Sequence, residues 1–126
     1  YGVASPTLID ILNRLREPFN VNSMAQAAAV AALEDKVYFQ KIAKEVARQR
    51  QYIYQGLKAL KLHHEISHTN FILIKVANAS AISKALLQKG VIIRDMTVWG
   101  LSDYIRVSIG TAAENKRFIK TLGEIV

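Results

Sequence analysis

The segment Gly90–Gly110, GVIIRDMTVWGLSDYIRVSIG, decides how this chain is interpreted, because it carries one arginine in each of two short apolar runs. Arg94 ends the first run, and Arg106 lies inside the second, Tyr104–Ile109. Short runs rich in valine and isoleucine are typical of strands. The segment therefore predicts two strands joined by a loop through Asp95–Asp103.

Alternation along the second run places its side chains on two faces. The members of one face are all apolar, whereas those of the other are polar. They are Ile105, Val107 and Ile109 on the first face, and Tyr104, Arg106 and Ser108 on the second. A guanidinium on the polar face can form two parallel charge-assisted hydrogen bonds with a carboxylate or phosphate. The segment is therefore a candidate anion site.

A simpler interpretation of the two arginines is a surface charge. Arginine at a strand edge is most often solvated or half of a weak ion pair. Asp95 and Asp103 lie nearby in the sequence and are available as partners. On the pattern of these residues alone, a solvated surface charge or half of a weak ion pair is the favoured interpretation of Arg94 and Arg106.

Composition limits the class of protein. A chain of 126 residues that is 51% hydrophobic can bury the core of a single domain. It has no cysteine, which excludes disulfides, thiolate nucleophiles and cysteine-based zinc sites. No apolar run approaches the ~18 residues of a membrane span, and no signal peptide opens the sequence. We therefore expect a cytoplasmic protein that is not in a membrane.

The net charge of +7 also suggests a nucleic-acid-binding protein. Seven of the seventeen basic residues lie between Lys36 and Lys61, where Glu45 is the only acid. A basic helix can follow phosphates, but it is more often the solvated face of an amphipathic helix. A basic α+β nucleic-acid-binding module is thus a second hypothesis. A non-catalytic small-molecule-binding domain that uses the same two arginines is a third.

Helices are predicted in the first half of the chain. Ser5-Pro6 is typical of a helix start, and Pro18 ends that helix. A second, alanine-rich helix is expected to begin near Ser23, with Gln26 completing a capping box. A third helix is predicted from Val37 to Leu60 by apolar residues at helical spacing.

Strands and helices alternate in the second half. Phe71–Val76 is apolar at nearly every position, which predicts a strand covered on both faces. A helix is expected over Ser80–Lys89, capped by Ser80 and ended by Gly90. Thr111 and Glu114 form a capping box that opens the last helix. The predicted fold class is α+β: a small, three-stranded, largely antiparallel sheet with helices on one face, preceded by long helices.

Three histidines lie close together in the sequence at positions 63, 64 and 68, beside Glu65. Adjacent histidines seldom share one metal on regular backbone, and the spacing matches no familiar ligand set. We therefore expect solvated loop histidines and no metal site.

Several short blocks of sequence are weak individually but specific in combination. They are Pro18–Asn22, Ala25–Ala28, Asn70-Phe71, Gly90–Arg94, and Ile105–Thr111 with Glu114-Asn115. In order and spacing these blocks resemble the C-terminal part of histidinol-phosphate aminotransferase. The resemblance covers nearly the whole chain and implies the C-terminal part of a pyridoxal-phosphate-dependent aminotransferase fold.

The resemblance implies a homodimeric, two-domain enzyme of histidine biosynthesis that moves an amino group between histidinol phosphate and glutamate/2-oxoglutarate. Residues 1–35 would be connecting helices from a missing large domain, and residues 36–126 the C-terminal small domain. Arg106 would bind the α-carboxylate of glutamate. Arg94 would contribute to the phosphate-bearing or carboxylate end of the substrate.

The same resemblance implies that the catalytic lysine is absent from this chain. Such enzymes bind pyridoxal 5'-phosphate through a Schiff-base lysine, which would lie upstream of Tyr1. Neither Lys58 nor Lys75 matches that motif. We therefore expect no catalytic and no cofactor-binding residue in it, so that the fragment alone would be inactive and would bind the cofactor weakly or not at all.

Overall fold

The computed structural model describes residues 2–126. Tyr1 lies outside the described residues, and the Schiff-base lysine is expected upstream of it. The chain divides into two compact units, the first ending at Phe39 and the second running from Gln40 to Val126. The boundary falls inside one continuous helix, Lys36–Ala59. Over residues 2–126, no helix is both long and apolar enough to cross a membrane.

The first unit contains two complete helices, α1 (Pro6–Leu15) and α2 (Ser23–Glu34). Ser5 caps α1 as predicted, accepting a hydrogen bond from the backbone of the first turn. The capping box predicted for Ser23 is wrong. Asn22 has the extended backbone of a capping residue and its side chain accepts the free N–H, so Ser23 is already helical. Gln26 instead donates to the carbonyl of Val21 at 2.9 Å.

The second unit holds the sheet and the remaining helices. Its elements are α3 (Lys36–Ala59), which begins in the first unit, β1 (Phe71–Lys75), α4 (Ala79–Gln88), β2 (Arg94–Asp95), β3 (Tyr104–Ser108) and α5 (Ala112–Gly123). The strand order is β1-β3-β2, and both pairings are antiparallel. This arrangement confirms the predicted α+β class and places the strand of Arg106 in the centre of the sheet.

The core of the second unit lies on one face of the sheet, where three helices pack. Its fully buried large side chains are Ile53 and Leu57 of α3, Ile72 and Ile74 of β1, Leu86 of α4, Ile105 of β3 and Leu122 of α5. Burying each of them contributes about 1.5–3 kcal/mol. The prediction of helices on one face is thus confirmed, and the opposite side, which we call the outer face, is left for other contacts.

The prediction that β1 is covered on both faces is wrong for the described residues. Ile72 and Ile74 are fully buried, whereas Phe71 and Leu73 are half-buried and Lys75 is exposed. Successive residues of a strand alternate between faces, so the last three belong to the outer face. The apolar residues Phe71 and Leu73 therefore form part of a partly open surface.

The first arginine strand is shorter than predicted. Only Arg94 and Asp95 pair with β3, so Val91–Ile93 does not form a strand. Gly90 has a left-handed φ of 73°, and the N–H of Val91 donates back to Leu86 of α4. The chain is still completing the end of the helix at this point, which leaves only two residues for pairing.

The cap predicted for α4 is also displaced. Asn78 caps the helix, accepting from the N–H of Ala81 at 3.0 Å. Ser80 therefore lies inside the first turn, where its hydroxyl is free to donate to Asp95.

Candidate anion-binding site

Arg94 and Arg106 lie side by side on the outer face. They are directly opposite each other in the β2–β3 register, and Leu73 of β1 is opposite Arg106 on its other side. Side chains at such positions start about 4.5–5.5 Å apart, and like charges there repel each other. An anion placed between the two guanidinium groups would offset that repulsion, so the pair is suited to bind a carboxylate or phosphate.

Neither aspartate neutralises the arginines. Asp103 pairs with Lys75 at 3.3 Å, and Asp95 accepts hydrogen bonds from Ser80 and Thr97. Across the part of the chain that the structure describes, neither Arg94 nor Arg106 forms an ion pair. The ion-pair form of the surface interpretation is therefore wrong, because both candidate partners are engaged elsewhere. Arg94 is nevertheless exposed, as a solvated charge would be.

Each arginine instead lies against an aromatic ring. The Cζ atom of Arg106 is 5.0 Å from the ring centre of Phe71, and Cζ of Arg94 is 5.6 Å from that of Trp99. A guanidinium within about 6 Å of a ring centre is attracted by the negative face of the ring. This contact leaves the N–H donors of the guanidinium free for a ligand.

An open groove of about 670 Å³ adjoins the two arginines. Its other lining residues are mostly apolar, with one carboxylate and one hydroxyl: Ile92, Ile93, Asp95, Val98, Val107 and Ser108. Two positive charges beside apolar walls suit an anion that also carries an apolar body. No lysine lines this groove, so a group that needs a Schiff base has no partner among its residues.

Asp95 fixes the loop that follows Arg94. It is opposite Ile105 and thus points towards the core side, where Ser80 of α4 donates to it. Its other oxygen accepts from the backbone N–H of Thr97 at 2.8 Å and from the Thr97 hydroxyl at 2.6 Å. The hydrogen bonds from Ser80 first, and then from Thr97, lower the pKa of the Asp95 carboxyl.

Because the pKa of Asp95 is lower in the folded state, its stabilising effect is present at neutral pH and is lost as the pH falls through the folded pKa. We predict that Asp95→Asn makes the free energy of unfolding fall less steeply between about pH 6 and pH 3. Urea unfolding of this chain across that range measures the slope. Ser80→Ala removes the largest cause of the shift and should flatten the slope in the same direction. Equal slopes for the wild type and Asp95→Asn would contradict the prediction.

A buried polar network that joins α5, α3 and Gly110 was not predicted from the sequence. Asn115 and Gln49 are each 2% exposed, and Asn115 Nδ2 donates to Gln49 Oε1 at 3.0 Å. Asn115 also donates to the carbonyl of Gly110 and accepts its N–H, at 2.9 and 3.0 Å. The network therefore connects Gly110, which follows the run that carries Arg106, to α3. One signal existed, since Gln49 occupies the helical position preceding the buried Ile53 and Leu57 by four and eight residues.

The three histidines have different surroundings in the structure. His64 stacks on Tyr54 with ring centres 4.3 Å apart, so it is half-buried rather than solvated as expected. His63 and His68 are exposed. Within residues 2–126, no group of three or more metal-ligating side chains is close enough to hold an ion.

The basic residues of α3 are exposed, apart from Arg50, which is half-buried. Arg48 pairs with Glu45 at 2.6 Å within the same helix, and Arg50 donates to the carbonyl of Thr69 at 2.9 Å. Such contacts are those of an amphipathic helix surface. They favour that interpretation over a nucleic-acid-binding helix.

The helices pack on one face of the sheet, and two arginines that form no ion pair among residues 2–126 lie on the other. This arrangement agrees with the class of protein that the sequence blocks resemble. The family profile of aminotransferase class I and II matches residues 1–122, and the chain belongs to this family.

The individual relatives are more specific. The chain is 44% identical over 126 residues to histidinol-phosphate aminotransferase of Methylobacillus flagellatus, which covers all of this chain and 34% of that protein. It is also 44% identical, over an alignment of 132 residues, to histidinol-phosphate aminotransferase of Methanococcus maripaludis, covering 100% of this chain and 36% of the relative. The resemblance to histidinol-phosphate aminotransferase is thus confirmed, and the chain spans about a third of the length of these curated relatives.

The fold is similar to that of solved aminotransferases. Histidinol-phosphate aminotransferase from Sinorhizobium meliloti, in complex with pyridoxal-5'-phosphate, superimposes with a TM-score of 0.70 at 24% identity. The match covers 95% of this chain and 34% of the other. The chain therefore has the fold of one part of such a protein.

Proposed function

We propose that this chain is the C-terminal part of a pyridoxal-phosphate-dependent aminotransferase that acts on histidinol phosphate in histidine biosynthesis. Glutamate and 2-oxoglutarate form the second substrate pair. Membership of the aminotransferase family and the names of the relatives support this proposal. The observation that carries it is the pair of directly opposed arginines, free of ion pairs among residues 2–126, beside an open groove.

The two arginines are assigned different roles in this proposal. Arg106 lies on the central strand, is half-buried and is supported by Phe71, which suits a site for the α-carboxylate of glutamate. Arg94 lies on the edge strand and is exposed, which suits the phosphate-bearing or carboxylate end of the substrate. Guanidinium groups stay positively charged at any working pH. They therefore attract the carboxylate of glutamate and the anionic end of the other substrate at every pH at which the enzyme works.

The groove beside the two arginines offers no residue that could form a Schiff base with the cofactor. The groove contains no lysine, and Lys75 on the outer face is engaged with Asp103 and with the ring of Tyr104. We therefore assign the cofactor-binding lysine to another segment of the complete polypeptide. The isolated chain is expected to be inactive.

The domain organisation and assembly are part of the same proposal. Residues up to 35 are connecting helices that lead from a large domain, and residues 36–126 form the small domain. The complete enzyme is a cytoplasmic homodimer. The exposed apolar side chains of α1 and α2, Leu12, Leu15, Met24 and Leu33, are consistent with burial against such further structure.

The test is an amino-transfer assay on the complete polypeptide supplied with pyridoxal 5'-phosphate. We predict that it transfers the amino group of histidinol phosphate to 2-oxoglutarate, which gives glutamate and the keto partner of histidinol phosphate. A coupled glutamate assay measures the glutamate formed. The same 126-residue chain without the remainder serves as the control and should give no glutamate. Transfer from another amino donor, with none from histidinol phosphate, would contradict the proposed substrate.

A further inference from the structure

The loop between β2 and β3 holds one aromatic ring in a defined place. Asp95 accepts two hydrogen bonds from Thr97, which starts a single 3-10 turn, Thr97–Trp99. Gly100 ends the turn with a left-handed φ of 77°, and the N–H of Leu101 closes it by donating to the Met96 carbonyl. The loop is therefore built on hydrogen bonds rather than on burial.

Trp99 at the end of this turn is poorly explained by core packing. Its side chain is 56% exposed, and its neighbour Val98 is 81% exposed. Contiguous exposed apolar residues can mark a surface that contacts a ligand or partner, and Val98 and Trp99 are adjacent and both exposed. In this loop the ring lies against Arg94, with its centre 5.6 Å from the guanidinium carbon.

Arg94 needs such support more than Arg106 does. Arg106 is on the central strand and is half-buried between neighbouring side chains, whereas Arg94 is exposed on a strand of two residues. A long exposed side chain samples many rotamers, and binding a ligand must restrict them. A ring that already holds the guanidinium reduces that cost.

We infer that Trp99 is a positioning residue, which holds the Arg94 guanidinium beside the groove so that it receives the anionic end of the substrate. This inference rests on the proposed function, in which Arg94 faces the phosphate-bearing or carboxylate end of the substrate, and it commits to the phosphate of histidinol phosphate. Asp95 supports Trp99 indirectly, because it accepts hydrogen bonds from Ser80 and Thr97 that fix the turn carrying the ring.

The test compares Trp99→Leu with Trp99→Phe in the complete polypeptide. Loss of a cation–π contact should raise KM for histidinol phosphate about 3- to 10-fold in Trp99→Leu. The value of kcat and the KM for glutamate should stay within about twofold of wild type, because Arg106 has its own ring. Trp99→Phe retains an aromatic face and should restore most of the affinity.

Tyr52→Leu is the matched control, since it removes a partly exposed aromatic ring from α3, an element that carries neither arginine. It should leave both KM values unchanged. An unchanged KM for histidinol phosphate in Trp99→Leu would overturn the inference. Equal losses of kcat and melting temperature in Trp99→Leu and Trp99→Phe would overturn it too, because they indicate a purely structural role.

A second measurement separates this inference from the proposed function. If the wild-type polypeptide does not use histidinol phosphate, the proposed substrate is wrong. Calorimetric titration with inorganic phosphate then still tests Trp99: the dissociation constant should rise about 3- to 10-fold in Trp99→Leu. Equal phosphate affinity in the two proteins would overturn the role of the ring.

Discussion

Replacing Arg106 with alanine in the complete polypeptide is expected to lower kcat/KM for glutamate about 100-fold or more. Each hydrogen bond to a charged partner contributes about 1.5–3 kcal/mol, and a planar guanidinium can form two with one carboxylate. Every 1.4 kcal/mol corresponds to about tenfold in rate or affinity. Steady-state kinetics with glutamate as the varied substrate measures the loss.

The same substitution should change stability little. Arg106 is directly opposite Arg94, so removal of one charge relieves a repulsion while it gives up the contact with Phe71. We expect the free energy of unfolding to change by less than about 1 kcal/mol. Equal losses of stability and activity would contradict the assignment and reduce Arg106 to a structural residue.

Two controls sharpen this prediction. Arg106→Lys keeps the charge but loses the planar fork, so it should recover only part of the activity. Arg48→Ala removes an exposed guanidinium of α3 that pairs with Glu45, and it should leave kcat/KM for glutamate unchanged.

Asn115→Ala is expected to lower the free energy of unfolding by about 3 kcal/mol or more. The substitution leaves three buried or partly buried polar groups without their partner. They are the side-chain oxygen of Gln49 and both backbone groups of Gly110. An unsatisfied buried polar group costs about 1–3 kcal/mol, and removal of the side chain adds a small cavity.

Urea unfolding of this chain measures that loss. Lys116→Ala is the matched control, because it changes the adjacent exposed residue of α5 and should alter the free energy of unfolding by less than about 0.5 kcal/mol. Gln49→Ala should cost less than Asn115→Ala, since the bonds between Asn115 and Gly110 remain. A loss below about 1 kcal/mol in Asn115→Ala would contradict the importance of the network.

Some features that depend on neighbouring residues were predictable from the sequence, although the caps expected at Ser23 and Ser80 lie one and two residues earlier, at Asn22 and Asn78. The alternation of β3 placed Ile105 and Val107 in the core and Arg106 on the other face, as found. The capping box of α5 was also predicted, and Thr111 and Glu114 form it reciprocally. In both cases the physical cause lies within a few residues of its effect.

Features that depend on contacts between distant segments were not predictable. Asp95 and Asp103 are both close to the arginines in sequence, yet Asp95 is on the core side and Asp103 reaches Lys75. Gln49 and Asn115 are 66 residues apart, so no local pattern joins them. The strand predicted at Val91–Ile93 failed for a local reason instead, because Gly90 and Val91 complete the end of α4 before pairing can begin.

The two arginine strands are held in the sheet to different extents, so the positions of Arg94 and Arg106 can change to different extents between related proteins. β3 is paired along both edges and contributes two buried side chains, whereas β2 has two paired residues at the edge of the sheet. Substitutions around β2 can thus shift Arg94 at little cost to the core, while Arg106 stays in place. In the proposed enzyme, related proteins would therefore keep the binding of the glutamate carboxylate by Arg106. They would differ in which substrate side chains they accept near Arg94.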